Sequence, residues 1–435
     1  MRSAQFSILF RLAVQKMREP IAPFPPGLAE NVLSRAPIYD LILCDLSPHT
    51  LVRLSRTCRV AHMAVACFFR RAYNINQHLS HYFPDPLQFR SLQARTGLVI
   101  SGSNALQFLD RTFYPTSDLD LYSHPGHVYE VLEWVESIGY EYHPSVHQDE
   151  DWHNLVSADW DGTTPRATEL RGRDPDGRLD ELLYPQIKDV FTFKRSVTIH
   201  GGTVELKVQI IETTCNPVDT ILNFHLSLSR LPLFVCTCLT ISVAACVMNI
   251  ITFDAAYSFY PIATFEQRIA LLISGSSSNR LDAVQKYVAR GWRVYAAFRP
   301  VDIVHPSESP FIPNEMRWVG DHHCWSISLD TTGVNPRPTP SPSSERFSWD
   351  PSLHNGWTVK CPARYVTDIV APTMHAHPVM STVFRYNYLF SDEKLAKAVR
   401  DWTTLQGGLV HRTLTKRDWI WFDAEIPGFR EAHRV

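Results

Sequence analysis

The stretch Ile100–Tyr122, ISGSNALQFLDRTFYPTSDLDLY, decides how this chain is read. Its last five residues, Asp118-Leu119-Asp120-Leu121-Tyr122, alternate with period two, the pattern of a strand with one buried face. Asp118 and Asp120 then project from one face while Leu119 and Leu121 turn to a core. Upstream, Leu98-Val99-Ile100 predicts a short apolar strand, Gly102-Ser103 a turn, and Asn104–Arg111 a helix. Neighbouring carboxylates repel one another unless a cation sits between them. Oxygen-only ligands suit Mg²⁺ or Mn²⁺. The helix opened by Gly102 and Ser103 offers free N–H groups and a positive end to a phosphate. A phosphate cradle beside a carboxylate metal edge is the equipment for handling a nucleoside triphosphate.

Downstream, Val128–Ile138 predicts a helix ended by Gly139. His143–Asp180 is polar and rich in Asp, Gly, Arg and Pro, which predicts a long mobile loop. Val190–Ile199 and Thr203–Ile211 alternate on either side of His200-Gly201-Gly202 and predict a β-hairpin. On the second of these strands Glu205, Lys207 and Gln209 share one face.

An apolar strand, Gly102-Ser103, a helix, and then Ser117-Asp118-Leu119-Asp120-Leu121 resembles the polymerase-β-like nucleotidyltransferase superfamily, over about residues 97–211. The resemblance implies an α+β fold: a small mixed sheet flanked by helices, with Mg²⁺ or Mn²⁺ held by Asp118 and Asp120. Gly102 and Ser103 would meet the triphosphate, with Lys207 (and Lys194) as further phosphate contacts. The family also needs a third carboxylate on a neighbouring strand. Glu205 is the candidate, but Gln209 in Val208-Gln209-Ile210-Ile211 has an equally good strand context. An amide there could not deprotonate a hydroxyl and would weaken metal binding.

Pro37–Arg59, PIYDLILCDLSPHTLVRLSRTCR, has leucines at helical spacing, Ser47-Pro48 as a helix start, and Cys58-Arg59 near its end. It resembles an F-box without the usual Leu-Pro opening. That likeness implies docking to an adaptor of cullin–RING ubiquitin ligases through residues 31–75, an apolar helix face in a groove. An ordinary three-helix cap is the alternative. The whole arrangement resembles fungal proteins that pair an F-box-like with a nucleotidyltransferase-like segment.

The remaining divisions follow composition. Residues 1–30 form a leader and linker. Met1–Arg18 carries Arg2, Arg11, Lys16 and Arg18 among apolar residues, which reads as a frayed basic leader in preference to a mitochondrial presequence. Pro20–Gly27, PIAPFPPG, is the linker. Residues 31–95 form the F-box-like unit and 96–275 the core. Within the core, Leu231–Phe253 has no charged residue and the length of a membrane span. Its Pro232, Asn249 and several threonines favour a buried helix, and 226–245 also reads as an insertion, a translated intron. Residues 276–435 form a mixed C-terminal region with helical patterns at Thr264–Ile273 and Asn279–Arg290 around its start. The Pro/Ser-rich Val334–Pro351 predicts disorder.

Composition excludes much. Hydrophobic residues make up 45% and charged residues 20% of 435, so the chain can bury a core. A net charge of −2 gives no bulk attraction to nucleic acid or anionic lipid. Nine cysteines without a C-x-x-C pair fit a reducing compartment, cytoplasm or nucleus, rather than a disulfide framework. The two resemblances imply two alternative functions. One is Mg²⁺-dependent transfer of a nucleotidyl group to an acceptor. The other is a non-catalytic F-box-like adaptor whose core binds a client or a nucleotide without turnover.

Overall fold

Leu119 and Leu121 are fully buried, with Asp120 between them on the opposite face, so the alternation is realised as a strand. The computed structural model describes residues 27–115, 117–146, 148–156, 187–199, 202–223, 245–273, 280–335, 349–361, 372–413 and 421–432. The leader 1–26, most of the long loop (157–180), the turn at His200-Gly201, the apolar stretch 224–244 and Pro/Ser-rich 336–348 lie outside them. The chain is mixed α/β and divides into Met1–Ala72 and Tyr73–Val435.

The smaller unit holds α1 (Leu28–Leu33), α2 (Ala36–Leu43), α3 (Pro48–Ser55) and α4 (Arg59–Ala72). Ser47 caps α3 by accepting from Thr50 N, with Pro48 in the first turn, as the sequence predicts. Tyr39 and Leu43 of α2, Leu51 of α3, and Ala64, Val65 and Phe68 of α4 form its core. Arg71 ties α4 to α2 through Asp40 Oδ1 at 2.6 Å. Ile38, Leu41, Ile42 and Met63 remain exposed, Leu41 by 75%.

The larger unit begins with α5 (Ile75–Leu79) and α6 (Pro86–Thr96), both, but for Thr96, within the 31–95 stretch expected as one helical unit. Asp85 Oδ1 caps α6 by accepting from Leu87 N and Gln88 N, and Gly97 at φ 68° ends it. Then come β1 (Val99–Ser101), α7 (Gly102–Asp110), β2 (Leu119–Ser123), α8 (Val128–Ser137), β3 (Glu141–Tyr142), β4 (Ile187–Ile199), β5 (Gly202–Thr213) and α9 (Pro217–Asn223). β4 and β5 pair antiparallel from Ile199↔Gly202 down to Ile187↔Thr213. Next are β6 (Asn249–Ile251), β7 (Ala255–Ser258), β8 (Ile269–Leu271), α10 (Arg280–Ala289), β9 (Arg293–Tyr295), α11 (Pro300–Val304), β10 (Arg317–Trp318) and β11 (Trp325–Ser328). Last come β12 (Gly356–Lys360), β13 (Thr373–His375), β14 (His377–Val379), β15 (Tyr388–Phe390), α12 (Glu393–Thr413) and α13 (Ile426–Ala432).

The main sheet has eight strands in the order β11-β7-β6-β1-β2-β5-β4-β3. It is mixed: β2 and β5 run parallel, while its other ladders among the described residues are antiparallel. It is larger than the small sheet expected. Residues 276–435, read as a region of their own, supply its edge strand β11. They also bring Trp357, Val359 and Leu389 into the same core as Val99 and Ile211.

Two expected helices are corrected. The end of the apolar run Leu231–Phe253 forms a short turn at Ala245–Val247 and then β6, which is fully buried between β7 and β1. A helical span through Phe253 is therefore not formed. Among the described residues no helix is long and apolar enough to cross a membrane. Thr264–Ile273 is a single π-type turn, Ile262–Glu266, followed by β8. Short apolar runs satisfy either period, and tertiary pairing chose the strand.

Candidate functional site

The site lies where β1, α7, β2 and β5 meet. β1 runs into α7 at Gly102, which takes φ 69°. A Cβ there would lie 2.5 Å from Asp120 Oδ2, so glycine is what lets that carboxylate rest against the start of the helix. Ser103 Oγ and Ser117 Oγ are 2.5 Å apart and both residues are buried, which joins the first turn of α7 to the residue before Asp118. A second tie runs from His78 Nε2 to Asn104 Oδ1 at 2.8 Å, from Asn104 Nδ2 to Tyr82 Oη at 3.1 Å, and from that hydroxyl to the Ser117 carbonyl at 3.0 Å. The predicted group Gly102, Ser103, Asp118 and Asp120 is thus brought together.

The third carboxylate is not. In the parallel register Asp120 lies opposite Gln209, and Leu119 opposite Val208. Glu205 is four residues earlier, roughly 13 Å along the strand. It is more than half exposed and pairs with Lys194 at 2.9 Å. Gln209 is 2% exposed and its Nε2 has no hydrogen-bond partner among the described residues. The strand position beside Asp120 therefore carries a buried amide where the resemblance implied an acid.

Lys207 stands beside the acids and joins Asp118 Oδ2 at 2.8 Å, both side chains being only about a quarter exposed or less. A further cation comes from α10. Lys286, half-buried, is within electrostatic reach of Asp120, Asp118, Lys207 and, one turn on, Arg290. Burial, then Arg290, push the Lys286 ammonium below its ordinary value. Burial, and after it the nearby Asp118, raise the Asp120 carboxyl to about 7 against the opposing pull of Lys286 and Lys207. Arg290 in turn lies 3.7 Å over the ring of Tyr114, in the loop that leads to Asp118.

Charge and donor chemistry together test the fit to a divalent cation. Asp118 is already neutralised by Lys207, Lys286 faces the pair, and the neighbouring position donates an N–H where a metal needs an oxygen anion. Among the described residues no cluster of three His, Cys, Asp or Glu stands ready for a metal. This charge and donor set differs from the Asp118–Asp120 cation edge expected from the sequence, where carboxylate oxygens alone would face Mg²⁺ or Mn²⁺.

Lys286 and the Tyr82–Asn104–His78 tie were missed from sequence. The helix around Lys286 was legible from its spacing, but its approach to Asp120 is set by packing alone. His375 ends β13 and His377 begins β14, in separate sheets. Comparison of the chain with family models, curated proteins and solved structures finds no match.

Proposed function

We propose that the larger unit is a nucleotidyltransferase-like core that binds a nucleoside triphosphate without transferring it, and that the helical unit is an F-box-like docking segment. The observation that carries the first half is the Asp120↔Gln209 register. Transfer needs a base for the attacking hydroxyl and an anionic clamp for the metals. An amide supplies neither, and Glu205 is too far along β5 to substitute. The cradle beside it, a glycine-opened helix start next to Ser103, is retained.

The test is pyrophosphate release from each nucleoside triphosphate with Mg²⁺ or Mn²⁺. Release at the level of a protein-free blank is expected for wild type, Asp118→Ala and Asp120→Ala alike, while ATP raises the melting temperature of the wild-type chain. Metal-dependent release by wild type, lost in both variants, would overturn the reading.

The exposed apolar residues of α2 support the second half. Tyr39 and Leu43 serve the unit's own core, while Ile38, Leu41 and Ile42 do not. An apolar helix face of this kind suits a groove. Mixed with a purified cullin–RING adaptor, the full chain should form a complex that Leu41→Asp abolishes. No complex with the wild-type chain would remove this half and leave the first standing.

A further inference from the structure

We infer that this face holds the phosphate oxyanions of a nucleotide without a divalent cation, Lys207 and Lys286 standing where the metals would be and Gln209 donating from its side-chain amide. The inference rests on the nucleotide-binding reading above and adds how the charge is met.

Three independent features point to an anion. First, α7 has no side-chain cap: Ser101 at its N-cap spends its hydroxyl on the Asn249 carbonyl at 2.7 Å. The first N–H groups of this nine-residue helix are therefore left to a ligand or to water. Second, Gln209 Nε2 is a buried donor without an acceptor among the described residues, next to Asp120 on β2 and two strands from the β1 end where α7 starts. Buried donors are normally satisfied, so one left open beside Asp120 calls for an acceptor on that face. Third, the two acids are already offset: Asp118 and Asp120 are met by Lys207 and Lys286. A divalent cation would enter among ammonium groups, while the helix end adds a further positive pole.

The geometry also defines how a phosphate would seat. Lys207 is placed to bridge Asp118 and an incoming oxygen, because an ammonium has three donors and the carboxylate uses one at 2.8 Å. Lys286, on α10, acts electrostatically on the same two acids as Lys207.

The experiment is calorimetric titration of the full chain with ATP and with inorganic triphosphate, in EDTA and in millimolar Mg²⁺. ATP is expected to bind in EDTA within about threefold of its affinity in Mg²⁺. Inorganic triphosphate should bind in EDTA within about tenfold of ATP, since recognition lies in the oxyanions. Lys286→Ala should weaken both ligands by at least about tenfold in either buffer, and Lys286→Arg should restore most of that. An unchanged melting temperature of the ligand-free Lys286→Ala chain shows that its fold is kept. ATP binding seen only with Mg²⁺ and indifferent to Lys286→Ala overturns this inference and leaves nucleotide binding standing. Failure of inorganic triphosphate to bind in EDTA also overturns it. No binding of either ligand in either buffer removes both readings.

Discussion

Two buried acids in the larger unit are treated in opposite ways. Asp321 accepts from Arg317 Nε at 2.5 Å and Nη2 at 3.1 Å, and from the backbone N–H groups of Trp318, His323 and Cys324. Burial alone would raise its pKa, but the hydrogen bonds and charge of Arg317 bring it below the ordinary carboxylate value. Asp120 rests on Gly102, beside another acid, and its pKa rises to about 7. The first arrangement is a structural charge whose needs are met inside the fold. The second is a charge left under tension, which is how sites that await a ligand differ from sites that only hold a protein together.

The contrast breaks first at Arg317. Arg317→Met strands Asp321 without its partner and should cost about 3–5 kcal/mol in urea unfolding. Arg317→Met combined with Asp321→Leu should recover much of that loss, because the unpaired charge goes with it. A small loss in the single variant would mean that Asp321 is not held as described.

Gly102→Ala should cost about 2–3 kcal/mol, from the positive φ and from the clash with Asp120 Oδ2. In an Asp120→Ala background the cost should fall to about 1 kcal/mol, the backbone part alone. Equal costs in the two backgrounds would separate Asp120 from the helix start.

Asp120 and Asp321 should also bend the pH dependence of stability in opposite directions. Asp120 binds its proton more tightly folded than unfolded. Its neutral form is stabilising, so stability falls as pH rises from the ordinary carboxyl value near 4 through about 7. For Asp321 the folded value is depressed, so its contribution is present above about 4 and is lost as pH falls below it. Asp120→Asn should accordingly stabilise by on the order of 2 kcal/mol at pH 8, a gain that shrinks towards pH 4. A pH-independent difference would contradict the raised value.

The smallest effect belongs to Glu205. Glu205→Gln should change stability by less than about 0.5 kcal/mol, as for other exposed pairs, and leave ATP affinity unaltered. A large loss of ATP binding would return Glu205 to the site.

Much of this was legible in the sequence, for local reasons. Leu119 and Leu121 declare their strand by period, Gly102 its turn by chemistry, Ser47-Pro48 its cap, and the β4–β5 pair its hairpin by alternation around Gly201-Gly202. What was not legible is non-local. Whether Glu205 or Gln209 stands beside Asp120 depends on the β2–β5 register, and both fit the strand equally well by sequence. Lys286 enters through the packing of α10, and no spacing near Asp118 announces it. Asn249–Ile251 looked like the tail of an apolar helix because a fully buried strand is apolar on both faces and shows no alternation.

The most direct test is free Mn²⁺, followed by electron paramagnetic resonance, as the full chain is added. Wild type and a Gln209→Glu/Lys207→Met variant, which restores an acid and removes the ammonium, are compared. The expected result is that wild type leaves Mn²⁺ free at concentrations where the variant captures it, a gain of at least about tenfold in affinity. Wild-type protein that takes up Mn²⁺ as tightly as the variant would contradict the idea that an amide and two lysines have replaced the metal at this edge.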